Sequence, residues 1–245
     1  DSVASRGLGD VYKRQTHLVT YNPDPAGEEI KYKCSEKITA VRIRNGGGYW
    51  VITHFIDKFY AFKIDPSGVS TTPVISQLNP IIPVSGYRRN AIGQIKVSPN
   101  GKKIAIAHVQ NGQTAGGTSS GGAMYLYDFD NSTGIVSNGQ AIITDSGCYG
   151  VEFSAETKKL YVSTESGVVQ FNLEAPSIPN SGQLISSRSY SSLQLGPDKK
   201  IYKANINTGL DDGFLDAINN PELDGSACGY QNAAVNLGAV SYTHL

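Results

Sequence analysis

The chain has 245 residues, 39% apolar and only 17% charged, with 21 Lys and Arg balanced by 21 Asp and Glu. A neutral chain has neither the basic footprint that phosphate-backbone binding needs nor the polybasic run of a membrane-surface binder, and no apolar run approaches the about 18 residues of a spanning helix. Its 27 Gly and 14 Tyr beside a single Met suit strands and turns better than helices.

The two ends read as foreign. Residues 10–15 (Asp-Val-Tyr-Lys-Arg-Gln) and 241–245 (Ser-Tyr-Thr-His-Leu) resemble peptides translated from adaptor sequence, with native tails as the other reading. The expected organisation is a tail over 1–15, one repeat domain over 16–238 and a tail over 239–245. Residues 17–21 and 29–33 read as two strands around a Pro/Gly turn, the outer half of a unit whose start is missing.

A first full unit follows. Strands are expected over 38–44, 49–54, 58–65 and 73–78, with Asn45-Gly46-Gly47-Gly48 and Pro66-Ser67-Gly68 as turns. The second unit has strands at 94–97 and 102–108 around Pro99-Asn100-Gly101, where Pro fixes φ and Asn-Gly tolerates φ > 0. It continues over 124–130 and 140–144. The third runs over 149–153, 159–164, 168–173 and 183–186, and the fourth over 192–195, 200–205 and 214–218. The last strand of the fourth unit is expected to be weak or absent. In place of Pro-Asn-Gly, the third unit has Ala155-Glu156-Thr157 and the fourth has Pro197-Asp198-Lys199, which a hairpin can survive.

The units align in columns. First strands carry Val41/Ile43, Ile95/Val97, Val151/Phe153 and Leu193/Leu195, with Arg42, Lys96, Glu152 and Gln194 between them. Second strands end at His54, His108, Thr164 and Asn205. Third strands place Phe62, Tyr127 and Phe171 in one column and Ile64, Phe129 and Leu173 in the next. Four strands per unit at a period of roughly 40–56 residues is the pattern of propeller blades. A blade has two apolar faces and buries them by stacking on its neighbours. The expected fold is an all-β β-propeller of four blades plus part of a fifth. A closed four-blade ring satisfies the pattern, but an open arc of a larger ring, completed by other parts of the same chain, is favoured.

Together, Glu36-Lys-Ile-Thr-Ala-Val41, Gly48-Tyr-Trp-Val-Ile-Thr-His54, Ile95-Lys-Val-Ser-Pro-Asn-Gly-Lys-Lys103, Leu126-Tyr-Asp-Phe-Asp-Asn-Ser-Thr-Gly134, Tyr149-Gly-Val-Glu-Phe-Ser154, Leu193-Gln-Leu-Gly-Pro-Asp198 and Ile218-Asn-Asn-Pro221 resemble the N-terminal WD-repeat-like propeller of large bacterial surface proteins exported by type IX secretion. The likeness covers roughly residues 30–235. It implies an exported, extracellular or cell-surface protein and supplies no catalytic residue.

His54, His108, Thr164 and Asn205 should emerge on one face of the disk, beside the long loop 109–122, and are the ligand-face candidates. Ordinary strand-end hydrogen bonding is the plainer reading of the same column. Lys96 and Glu152 come from adjacent blades and read as a structural pair that sets register. No metal site is expected, since no carboxylate is placed to complete one around the two His. Residues 128–134 depart from calcium-loop spacing, Asn131-Ser-Thr133 matches a glycosylation sequon, and Asp211-Asp212-Gly213 reads as a turn. Cys34, Cys148 and Cys228 are odd in number and read as buried thiols, with one disulfide at most. No cofactor is indicated. The expected function is a non-enzymatic module that binds a protein or surface glycan through rim loops. The alternative is a hydrolase or lactonase-like propeller with chemistry near His54 and His108, and a third option is a ligand-free spacer.

Overall fold

A computed structural model describes residues 35–80, 91–110, 121–188, 190–204 and 213–238. The strands expected at 17–21 and 29–33, both tails, Cys34, Asn205, most of the 109–122 loop and the Asp211-Asp212 pair lie outside the described residues.

Blade one contains β1 (Ile38–Arg42), β2 (Tyr49–Phe55) and β3 (Lys58–Asp65). Its fourth position is shared by β4 (Gly68–Val69) and β5 (Val74–Gln77), both paired with β3. Blade two is β6 (Ile95–Val97), β7 (Lys103–His108), β8 (Ala123–Asp130) and β9 (Ile135–Ile143). Blade three is β10 (Cys148–Phe153), β11 (Lys159–Thr164), β12 (Gly167–Asn172) and β13 (Gln183–Ser186). Blade four is β14 (Leu193–Leu195), β15 (Ile201–Ala204), β16 (Phe214–Ile218) and β17 (Tyr230–Asn236). Every pairing is antiparallel, and the sheets of blades two, three and four are meanders in sequence order, while β5 of blade one pairs back with β3.

β17 corrects the expectation of a missing last strand. Tyr-Gln-Asn-Ala-Ala-Val-Asn has few strong β formers, so nothing local announces it. Pairing with β16 holds it, and the Asp216 carboxylate accepts the Ala233 N–H at 2.8 Å where the ladder slips.

The first hairpin turns follow one plan with different residues. Gly101, Thr157 and Lys199 all have positive φ, at 70°, 61° and 66°. Each donates its N–H back three residues, to the carbonyls of Ser98, Ser154 and Gly196 at 2.8, 2.9 and 3.0 Å. Glycine takes this conformation freely, whereas Thr157 and Lys199 hold it against a steric cost of about 1–2 kcal/mol.

Three buried cores lie between successive blades. Trp50, Ile52, Phe59 and Ala61 of blade one meet Ile104, Ile106, Tyr127 and Phe129 of blade two. Ala105, Ala107, Met124 and Leu126 of blade two meet Val151, Phe153, Leu160 and Val162 of blade three. Tyr161 and Val168 meet Leu193, Ile201 and Ile218 of blade four. Full burial of each large aliphatic or aromatic side chain contributes about 1.5–3 kcal/mol. Among the described residues no fourth core joins blade four to blade one.

The ladders also correct two columns in blade one. Thr53, Ile106, Val162 and Lys203 each stand opposite a first-strand residue, namely Ile38, Ile95, Val151 and Leu193. Ile38 and Ala40, not Val41 and Ile43, are therefore the blade-one counterparts of Ile95 and Val97. Thr39, not Arg42, stands in the column of Lys96, Glu152 and Gln194. The third-strand columns of Phe62 and Ile64 agree with the ladders, since eight-residue β3 matches eight-residue β8 end to end.

Candidate functional site

The starts of first strands and the ends of second strands share one face of the disk, because each first hairpin pairs them. β7 and β11 end at His108 and Thr164, opposite the opening residues of their third strands, Ala123 and Gly167. In blade one that place belongs to Phe55, opposite Lys58, and His54 lies one residue earlier. A one-residue offset sends a side chain to the other face of a strand. His54 therefore points to blade two and His108 to blade one, and their rings meet edge to face with centroids 5.7 Å apart.

Neither imidazole lines an open rim. His54 is 3% exposed and His108 1%, and Thr164 is also buried. His54 packs on Phe59 at 4.7 Å and His108 on Tyr125 at 6.1 Å. Burial, with a smaller contribution from the Lys37 charge, lowers the His54 pKa to about 3, so this ring is neutral at pH 7. The Thr164 hydroxyl donates to the Gly167 carbonyl at 3.0 Å and accepts the Ser166 N–H at 3.2 Å, closing the turn into β12. A surface-lining column is thus corrected to one interface contact and one turn lock, while Asn205 lies outside the described residues.

Residues at the entry to the first strands complete the site. Lys37 is buried, and its pKa is lowered to about 7 by burial, partly offset by Glu36. Its carbonyl accepts the Thr53 hydroxyl at 2.8 Å. The Glu36 carboxylate accepts the Gly93 N–H of blade two at 2.7 Å. Tyr149 of blade three is close enough to Glu36 that, after burial, this carboxylate raises its phenol pKa. A carboxylate, an amine and an imidazole of blade one and a phenol of blade three gather where the first strands begin. Sequence reasoning missed Glu36 and Lys37 because they precede the first alternating residue. The available signal was parity: Lys37 shares a side with Thr39 and Val41, which turn toward blade two.

Below the mouth the axis is bridged. Gln94 donates its backbone N–H to the Tyr149 carbonyl at 2.9 Å. Its side-chain oxygen accepts the N–H groups of Val151 and Leu193 at 3.2 and 3.1 Å, tying blade two to blades three and four. One layer deeper, Lys96 Nζ lies 3.0 Å from Glu152 Oε2 and donates to Gln194 Oε1 at 2.6 Å. Glu152 Oε2 also accepts the Leu195 N–H at 2.9 Å. Lys96 and Glu152 are thus brought together, with Gln194 as a third member.

The remaining motifs have local roles. Asp128 pairs with Lys103 at 2.5 Å and accepts from Asn138 at 2.8 Å, while Asp130 accepts from Ser132 and Thr133. Those contacts make 128–134 a closed turn. The Asn131 amide donates to the Arg42 carbonyl and accepts the Arg44 N–H, so the sequon asparagine is buried in a clasp on blade one. Cys148 and Cys228 are free and buried, and burial pushes the Cys148 thiol up to about 12. Among the described residues no group of three or more His, Cys, Asp or Glu is placed to hold a metal ion. Among them, too, no helix is long and apolar enough to cross a membrane.

The fold defines a β-propeller, built of four-stranded blades around an axis. No protein-family model matches the chain, and no curated protein matches it in sequence. Among solved structures it is similar to a protein from Lactobacillus plantarum, with a TM-score of 0.51 and 17% identity over 86% of this chain and 56% of that one. It is also similar to the PQQ domain of pyranose dehydrogenase from Coprinopsis cinerea, with a TM-score of 0.49 and 14% identity over 74% of this chain and 45% of that one. The periplasmic gluconolactonase of Pseudomonas aeruginosa gives 0.46 and 13% identity over 78% and 54%. The chain spans about half the length of these proteins, and at such identities the likeness is one of fold.

Proposed function

We propose that the chain is the propeller module of an exported bacterial surface protein, and that it binds a protein or surface glycan through loops on the face where the first strands begin. The bridged axis carries this reading. Gln94, Lys96, Glu152 and Gln194 join three blades with short contacts and occupy the space where a channel-borne reaction would need room. A rigid disk of this kind presents loops without moving, which lowers the ordering cost of binding. Export rests on the likeness to type IX-secreted surface proteins set out above. Glycan-array and pull-down screens with the purified chain test the binding role; specific capture that survives high salt supports it, and an empty result in both overturns it. Antibody labelling of intact cells tests the location.

A second reading is favoured by one observation. Glu36, Lys37, His54 and Tyr149 set a carboxylate, an amine, an imidazole and a phenol together where the first strands begin, the group types that hydrolysis of a lactone or similar ester uses. A lactone-hydrolysis screen separates the readings. Turnover by the parent chain that Lys37→Met abolishes, with circular dichroism unchanged, replaces the binding role with an enzymatic one.

A further inference from the structure

One cross-strand pair of the blade repeat changes its chemistry in blade four. It joins the second-strand residue opposite the first apolar position to its partner on the third strand. In blade two the pair is Ile106 and Tyr125, and in blade three it is Val162 and Val169. In blade four it is Lys203 and Asp216, direct partners across β15 and β16. They share a face with Leu193, Ile201 and Ile218, members of the core against blade three. Lys203 is 2% exposed and Asp216 0%. An amine and a carboxyl thus stand where the other blades place uncharged side chains, at a depth where an ion pair scarcely offsets its desolvation.

The carboxyl group is held in a fixed frame. Asp216 Oδ1 accepts the Ala233 N–H at 2.8 Å. Ala233 has a φ of 48°, a left-handed conformation that a residue with a Cβ adopts at a steric cost. Asp216 Oδ2 accepts the Tyr230 hydroxyl at 2.6 Å. Lys203 Nζ stands 3.9 Å from the same oxygen, and Arg188 Nε 4.0 Å from it. Burial lowers the Lys203 pKa, partly offset by Asp216, toward the uncharged amine that nucleophilic attack requires. A nucleophile, an acyl carbon, a backbone donor on one oxygen and a hydroxyl donor on the other are therefore assembled in one place.

We propose that Lys203 and Asp216 condense to an isopeptide bond, a covalent cross-link between β15 and β16. The ammonium passes one proton to Oδ2, which leaves an amine beside a carboxylic acid. A small rotation of the lysine stem brings Nζ to the near-attack separation of about 3–3.5 Å from Cγ, and its lone pair forms the C–N bond. Oδ1 takes the displaced electron pair, and the Ala233 N–H meets its charge. The carbonyl then re-forms and the Cγ–Oδ2 bond breaks, with Tyr230 giving its proton to the departing hydroxyl and recovering one from the nitrogen. Two of the three ammonium protons leave with Oδ2 as water, the third stays on the amide, and no other reactant is consumed. The product is neutral, so the cost of keeping two charges dry is removed.

Intact-mass spectrometry and tryptic mapping of the purified full chain, with circular dichroism showing it folded, test this. The chain should weigh one water less than its sequence. Trypsin should leave the bond after Lys203 uncut, and fragment spectra should join Lys203 to Asp216. Lys203→Arg keeps the positive charge without the amine and should show the full sequence mass. Full sequence mass together with cleavage after Lys203 in the folded unaltered chain overturns the proposal. A lost water that leaves Lys203 cleavable, or that persists in Lys203→Arg, also overturns it and assigns the loss to a succinimide at Asp212-Gly213 or Asp224-Gly225.

Discussion

His54 and His108 face each other across the first blade interface with ring centroids 5.7 Å apart, although each lies near the end of an equivalent strand. They meet because they are not equivalent. One residue of offset turns one ring forward and the other back, and burial between the blades holds His54 neutral.

That neutrality has a signature in acid. The folded pKa of His54 is about 3 against an ordinary 6.5, so the unfolded chain binds the extra proton in between and stability falls as pH drops from 6.5 to 3. The slope from this group is at most about 1.4 kcal/mol per pH unit. In urea titrations across that range His54→Phe should flatten the acid limb; an unchanged limb shows that His54 is not its source.

Lys37 acts at the other end of the scale. Its pKa is lowered to about 7 from 10.5, so the unfolded chain holds more protons between those values and stability rises with pH through that window. Below pH 7 both states are protonated and the full burial cost remains. Lys37→Met should abolish the rise between pH 7 and 10, measured as the denaturation midpoint. A variant that keeps the rise would show that another group causes it.

The axis bridge should behave as a unit. Glu152→Ala leaves Lys96 with Gln194 alone and removes the acceptor of the Leu195 N–H, a loss of about 3 kcal/mol or more for a buried pair broken on one side. Combined with Lys96→Met, the loss should fall well short of the sum of the single changes. Additive losses would show that the two residues do not interact.

The Asn131 clasp makes a prediction about modification as well as stability. Its amide is engaged on both sides by the first hairpin of blade one, so Asn131→Ala should cost about 1–3 kcal/mol through the unpaired Arg44 N–H and Arg42 carbonyl. For the same reason a folded chain exposed to a glycosylation system should carry no glycan at this position by intact-mass measurement.

Lys199 holds a left-handed conformation with an exposed side chain. Lys199→Gly removes the Cβ strain of about 1–2 kcal/mol and adds a smaller chain-entropy cost, for a net gain of about 0.5–1 kcal/mol in thermal unfolding. A loss of stability would place the strain elsewhere.

The sequence by itself determined the blades. Alternating apolar residues and turn chemistry at Asn100-Gly101 are local, and repetition of the unit forces each sheet to seek a neighbour on both faces. The third-strand columns of Phe62, Tyr127 and Phe171 were legible for that reason. What only the tertiary structure decided is which face each side chain serves. A period of two residues makes strand assignment insensitive to a one-residue slip, yet the slip reverses every side chain. Column alignment of second-strand ends therefore placed His54 with His108 on a common rim, whereas ladder pairing set them against each other in a core. β17 was likewise decided by its partner strand, since its own residues carry little β preference. The gathering of Glu36, Lys37, His54 and Tyr149 needed three blades stacked in register, a geometry no single stretch of the chain contains.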